Sequence, residues 1–206
     1  NRPFVVPQGR VLGGGSSVNG MIYMRGQARD YDDWDERFGC DGWRYDDVLP
    51  VFRRQEHNTR LSDDFHGTSG PLVVDDPSEK HPVTQRIIDA AIECGLPAND
   101  DFNGAKQDGV GWYQMTAHKG QRQSAATCFL KPAMGRENLT VLTQLDVHKL
   151  QIENRRATGV EAFDPAGAPV LMTARREIIL CAGSFQSPKL LMLSGIGPKA
   201  HLQQHG

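Results

Sequence analysis

Apolar positions follow a helical rhythm in the first half of the chain and an alternating one in the second. Tyr31, Trp34 and Phe38 share one face of a segment that Asp30 can cap, with Asp33 at its third position, and that Gly39 stops. This predicts a short helix over 30–38. Val48, Phe52 and Gln55 fall in register over 46–56, a second helix that tolerates Pro50 only near its first turns. Val83, Ile87, Ile88, Ala91 and Ile92 line one side of a third, opened by Pro82 and ended at Gly95. From Leu139 onward the period becomes two: His148, Leu150 and Ile152 alternate with Lys149, Gln151 and Glu153. Turns at 154–157 and at Pro165-Ala166-Gly167 lead into strands over 158–163 and 170–173, an antiparallel meander. The continuous apolar run 177–182 predicts a fully buried parallel strand, and Ser187 with Pro188 starts a helix through Leu193. Between these regions lie a short strand at 72–75, a strand around Trp112, Tyr113 and Met115, a helix over 124–130, and polar loops at 58–71 and 99–111.

One stretch obeys neither rhythm. In 9–26, GRVLGGGSSVNGMIYMRG, Gly13, Gly14 and Gly15 remove every Cβ from one bend, so the backbone can take positive φ and approach a ligand closely. Ser16, Ser17 and Asn19 supply short donors, a make-up suited to a phosphate or the polar edge of a planar cofactor. The apolar continuation Val18, Met21, Ile22, Tyr23 and Met24 is expected to be buried and to hold the loop on a core. It is not a dinucleotide fingerprint, because Val18 stands where glycine or alanine is wanted, and no Gly-Lys-Ser/Thr occurs. A second arrangement, the 177–182 strand with a turn at Gly183 and a helix N-terminus, is the kind that binds nucleotides in open α/β sheets. Gly195-Ile196-Gly197-Pro198-Lys199-Ala200 formally fits Gly-x-Gly-x-x-Ala but follows a helix, so it is discounted.

Composition narrows the function classes. With 206 residues, 38% hydrophobic and a formal net charge of −2, the chain is an ordinary globular sequence with no electrostatic case for nucleic acid. Its apolar runs are too short to span a membrane. Cys40, Cys94, Cys128 and Cys181 are scattered, which fits a reducing, cytoplasmic setting, with peripheral association at the inner membrane left open. Asp100, Asp101, Asn103 and Asp108 lack the spacing of a calcium loop, and the aspartates of 30–35 read as helix caps, so no metal is expected. An isolated His118 reads as structural. The absence of Gly-x-Ser-x-Gly, with Ser16 and Ser184 in the motifs described below, argues against a serine hydrolase.

The run from Gly9 to Asn19 resembles the first signature of the glucose-methanol-choline (GMC) oxidoreductases, and the run from Gly183 to Gly197 resembles their second. Phe65-His66-Gly67 with Gly70-Pro71, the run 121–126 and Arg136-Glu137-Asn138-Leu139 are also similar to that family, and the chain resembles its choline dehydrogenase-like members. The resemblance implies a mixed α/β fold: part of a Rossmann-like FAD-binding domain over 1–57, part of an antiparallel-sheet substrate domain over 58–130, and a return to the FAD domain over 131–206. It implies an FAD-dependent enzyme that oxidises the CH–OH group of choline or an aliphatic or aryl alcohol. The electron acceptor stays open among O₂, a quinone or another. Val11, Gly13, Gly14, Gly15, Ser16 and Ser17 would lie along the cofactor, and Asn19, Gly20, Met21 and Ile22 would approach the isoalloxazine. Val147 would touch the adenine side, and Ala182 and Gly183 would flank the nucleotide. Position 18 is valine where some members carry a histidine bonded to FAD, so the flavin is expected to be non-covalent. Family members begin with a Gly-x-Gly-x-x-Gly strand-turn-helix and end with a catalytic histidine segment. Neither is in this sequence, which is therefore expected to be an internal fragment without its catalytic residue. The competing reading is a non-catalytic fragment that does not bind FAD by itself.

Overall fold

The computed structural model describes residues 2–205, which form two compact units divided between Arg136 and Glu137.

In the first unit, helix α1 (Ala28–Phe38) begins two residues before the patterned start. Asp30 is not the cap but the third helical residue, where its carboxylate accepts the Gln27 N–H at 2.8 Å and closes a reciprocal capping box with Gln27. Gly39 ends the helix at φ +65°, a conformation that favours glycine. Helix α2 (Tyr45–Gln55) starts the same way, with Asp47 accepting the Arg44 N–H. It packs on α1 through Tyr31 and Phe52, edge to face at 5.7 Å. Strand β1 (Glu56–Asn58) follows α2 directly and pairs in parallel with β2 (Leu72–Val74). Helix α3 (Pro82–Glu93) is capped by His81, whose Nδ1 accepts the Val83 N–H.

Around Trp112, Tyr113 and Met115 the expected strand does not form. Met115 instead makes single bridges on both sides, to Ile22 and to Asp75. Its backbone is divided between two partners, so no ladder propagates along either. The hairpin β3 (Ala117–His118) and β4 (Gln121–Arg122) comes next. A short π-helix, Ala126–Leu130, runs into the short α4 (Lys131–Ala133), over the segment read as a helix. Val74, Ile88, Phe102, Ala126 and Cys128 are buried apolar side chains here, and Arg25, Glu56, Asn58, His66, Asn103 and Gln114 are buried with them.

The second unit is the meander the alternation predicts: β5 (Asp146–Glu153), β6 (Arg156–Phe163) and β7 (Pro169–Thr173), antiparallel in that order. Asn154 and Arg155 both take positive φ, +49° and +66°, as a two-residue primed turn requires. Helix α5 (Gly183–Leu193) starts four residues before Ser187. Ser187 Oγ accepts the Ala182 N–H from inside the first turns, so Ser187 braces the start rather than capping it. Ser194 Oγ accepts the Leu150 N–H at 2.8 Å and donates to Leu190 O, tying the end of α5 to β5. The short α6 (Lys199–Gln204) completes the unit. The run 177–182 is not a strand and is not buried; Ile179 is 76% exposed. A strand exists only by pairing, and among the described residues none lies beside this segment to accept its backbone hydrogen bonds.

Candidate cofactor site

The glycine loop is a single 3₁₀ turn, Gly14–Ser17, entered through Gly13 at φ +89°. Its glycines fall into two kinds. At Gly9 and Gly13 a Cβ would collide with the loop itself, 2.2 Å from Gly14 O and 2.3 Å from Ser17 Oγ, so these two let the chain pack on itself. At Gly14, Gly15 and Gly20 a Cβ would meet nothing within 4 Å. Gly14 needs glycine for its φ of +53°, but Gly15 and Gly20 do not have positive φ. Nothing inside the chain requires a missing side chain at those two positions.

The loop's polar side chains turn inward. Ser16 Oγ donates to Gly13 O and accepts the Ala125 N–H, and Ser17 Oγ donates to Leu12 O. Asn19 Oδ1 accepts both the Met21 N–H at 3.1 Å and Arg122 Nη1 at 2.7 Å. These groups brace the loop and leave its backbone as the presenting surface. Met21 is left-handed at φ +64°, a conformation that costs a side-chain-bearing residue about 1–3 kcal/mol and persists only where its surroundings hold it. Thr116 does so through its N–H and hydroxyl, both donated to Met21 O.

The expected burial of the apolar continuation is overturned for Val18, Ile22 and Met24, which are 54%, 56% and 45% exposed. From Ile22 to Arg25 the chain alternates, sending Tyr23 and Arg25 inward and Ile22 and Met24 outward. Val11 and Leu12, which precede the glycines in the chain, are exposed as well, so apolar side chains flank the open glycine backbone along the sequence. A bare backbone flanked by apolar side chains suits a planar ring system with a polar edge.

The second unit holds the remaining sequence candidates. Val147 lies on β5 opposite Ala162, beside an irregularity that follows it in the ladder. Ala182 precedes α5, and Gly183 opens that helix at φ +93° with open space where its Cβ would be.

Sequence reasoning missed a buried ionic network in the first unit. Arg25 Nη2 pairs with Glu56 Oε2 at 2.6 Å and Nη1 donates to Phe65 O at 2.7 Å. Glu56 also accepts Asn58 Nδ2, His66 Nδ1 at 3.0 Å and the Gly67 N–H. The other face of His66 meets Asp101 at 3.2 Å, and Asn58 is bonded in turn to Gln114. Burial pushes the Glu56 carboxyl up, but the bonds from His66, Asn58 and Gly67 and the Arg25 charge outweigh it and hold it below the ordinary range. Burial pushes His66 down, but its two carboxylate neighbours more than compensate and hold it above its ordinary value. Asp63, His66 and Asp101 bring one ligand atom each within 4.8 Å of one another. His66 lies between two carboxylates that favour its protonated form, however, and that form has no lone pair for an ion. The only early signal was the Phe65-His66-Gly67 motif. A cleft of 820 Å³ lies beside this network, between the start of α1 and loop 97–108, and takes only Arg25 and Gly26 from the glycine-rich stretch 9–26.

His118 Nδ1 lies 2.8 Å from Asp75 Oδ2, and Thr59 Oγ1 donates to the other Asp75 oxygen, so this histidine ties the β3–β4 hairpin to the end of β2. No helix among the described residues is long and apolar enough to cross a membrane.

The GMC oxidoreductase family model matches residues 1–205. The oxygen-dependent choline dehydrogenases of Sinorhizobium fredii and Brucella anthropi are 47% and 46% identical over 100% of this chain. The chain spans 37% of the length of each of those relatives. Among solved structures, pyridoxine 4-oxidase from Mesorbium loti superposes with a TM-score of 0.87 at 36% identity, over 95% of this chain and 38% of that one. An FAD-dependent oxidoreductase from Chaetomium thermophilum gives 0.88 at 31% identity, over 97% and 37%. With both signature runs in place, the mixed helix-and-strand fold and a family match along the described chain, this protein belongs to the GMC oxidoreductase family.

Proposed function

We propose that this chain is the part of a choline dehydrogenase-type flavoenzyme that carries the glycine loop of its FAD site. The observation that carries the reading is the pair Gly15 and Gly20, glycines without positive φ and with open space where a Cβ would stand, set among exposed Val11, Val18, Ile22 and Met24. In this reading the backbone of Gly13, Gly14, Gly15, Ser16 and Ser17 runs along the cofactor. Asn19, Gly20, Met21 and Ile22 meet the ring system, and the flanking apolar side chains keep water from it. Val147, Ala182 and Gly183 carry over from the family resemblance as further contacts. Val18 offers no nucleophile, so the flavin is held without a covalent bond. Bound FAD supplies the acceptor for a hydride from the alcohol carbon, and the chain's residues hold and orient it. Choline as substrate is supported by the names of relatives 45–47% identical to this chain. The free thiols of Cys40, Cys94, Cys128 and Cys181 support a cytoplasmic setting.

The protein purified from its own gene is expected to show flavin absorbance that bleaches when choline is added without oxygen. A colourless protein that gains no flavin band on incubation with FAD would remove the assignment. In the same assay His118→Asn is expected to keep alcohol turnover within about tenfold, because what it loses is one partly exposed hydrogen bond with Asp75, worth about 1 kcal/mol. A larger drop would place His118 in the chemistry.

A further inference from the structure

A loop with three consecutive glycines has the largest backbone freedom a chain can have, and ordering it around a ligand is correspondingly costly. One cation, more than a hundred residues along the chain, addresses that freedom here. Arg122, on β4, directs a single nitrogen, Nη1, at two acceptors of the loop: Ser16 O at 3.1 Å and Asn19 Oδ1 at 2.7 Å. Asn19 Oδ1 is at the same time the acceptor for the N–H of Met21, whose left-handed backbone turns the chain out of the loop. The guanidinium thus closes the turn Gly14–Ser17 from outside and fixes the oxygen on which the Met21 conformation rests. Neighbouring contacts come from the same hairpin and its continuation. Arg122 pairs with Ala117 in the ladder, Thr116 donates to Met21 O, and Ala125 donates its N–H to Ser16 Oγ.

The geometry points to Arg122 as the positioning residue of the cofactor loop. It holds the glycine backbone in its binding shape before FAD arrives, so that ordering of the loop is not charged against binding. This role rests on the FAD reading given above, and two readouts keep the two apart. The first is amide hydrogen exchange of residues 14–21 in the flavin-free full protein, and the second is its FAD affinity by flavin fluorescence.

Arg122→Met keeps the bulk and removes the donors. It is expected to speed exchange of the loop amides at least tenfold and to weaken FAD at least tenfold, with protection in the 146–173 meander unchanged. Arg122→Lys, which retains one charged donor, is expected to recover part of both losses. Asn19→Ala, which removes the shared acceptor from the loop side, is expected to reproduce them without touching the hairpin. Unchanged loop exchange in Arg122→Met and Asn19→Ala would overturn the clamp. Faster exchange with unchanged FAD affinity would overturn its role toward the cofactor. A wild-type protein that takes up no FAD would defeat the cofactor reading itself, leaving the exchange data to decide whether the clamp exists.

Discussion

Replacing Gly15 by leucine is expected to abolish flavin retention while leaving the fold intact. The two halves of that expectation come from different observations. Gly15 does not have positive φ, and a Cβ there would meet nothing within 4 Å, so a side chain neither strains the backbone nor collides with the chain. Exchanging such a glycine for a residue its backbone already suits usually changes stability by well under about 1 kcal/mol, in either direction. The space is free only as far as the chain is concerned. If the loop lies along a cofactor, an isobutyl group stands where the cofactor must come closest, and misplacement of about 1 Å at such a surface costs on the order of a hundredfold. The measurement is the flavin-to-protein absorbance ratio of the purified variant beside its thermal midpoint. Gly13→Leu is the contrast: φ there is +89° and the new Cβ would meet Ser17 Oγ and Ala126, so that variant should lose the fold and the flavin together. Gly14 is a less clean test, since its φ of +53° strains any replacement. A Gly15→Leu protein that stays as yellow as the parent would take the loop out of the cofactor site.

What could be read in advance follows from what kind of property each feature is. The β5–β6–β7 meander was legible because alternation is written residue by residue, and the turn at Asn154 and Arg155 because a hairpin needs residues tolerant of positive φ. Strand formation at 177–182 was not, because an apolar run states that a segment needs covering and says nothing about what covers it. The same confusion of apolar with buried accounts for Val18, Ile22 and Met24, whose exposed side chains flank the open glycines along the sequence. Ser16, Ser17 and Asn19 are short polar groups in a loop, but only the fold shows that they point back into it. Arg122 could not be linked to Asn19 from sequence at all, since nothing in a pattern couples positions so far apart. The ionic network is the clearest case: Glu56 and Asn58 occupy the inward positions of β1, where a period-two reading expects apolar residues. Arg25, His66, Asp101 and Gln114 each look like surface residues until the fold collects them.

That network carries the largest expected effect on stability. Glu56 has no exposed surface and faces Arg25, 2.6 Å away, with the His66 ring on its other oxygen. Glu56→Gln keeps the volume and removes the anion between Arg25 and His66. Breaking a buried pair from one side costs about 3–5 kcal/mol, because the surviving charge stays desolvated and uncompensated. A fall in the thermal midpoint of roughly 10 °C follows for a unit of this size. The pH dependence has two limbs with opposite signs. The Glu56 carboxyl lies below its ordinary value when folded, so its contribution is complete above about pH 4.3 and is lost as pH falls through the folded value. His66 lies above its ordinary value, so its contribution is complete below about pH 6.5 and is lost as pH rises through the folded value. The thermal midpoint of the wild-type protein should therefore be highest between these limits. Glu56→Gln should flatten the acid limb, and His66→Gln should flatten the alkaline one and shrink the acid one, since the His66 bond is among those that hold the Glu56 carboxyl low. Equal midpoints for wild type and Glu56→Gln across that range would mean that Arg25 and His66 find solvent when the carboxylate is gone, and that the segments around 25, 56–67 and 101 are held together by their apolar contacts alone.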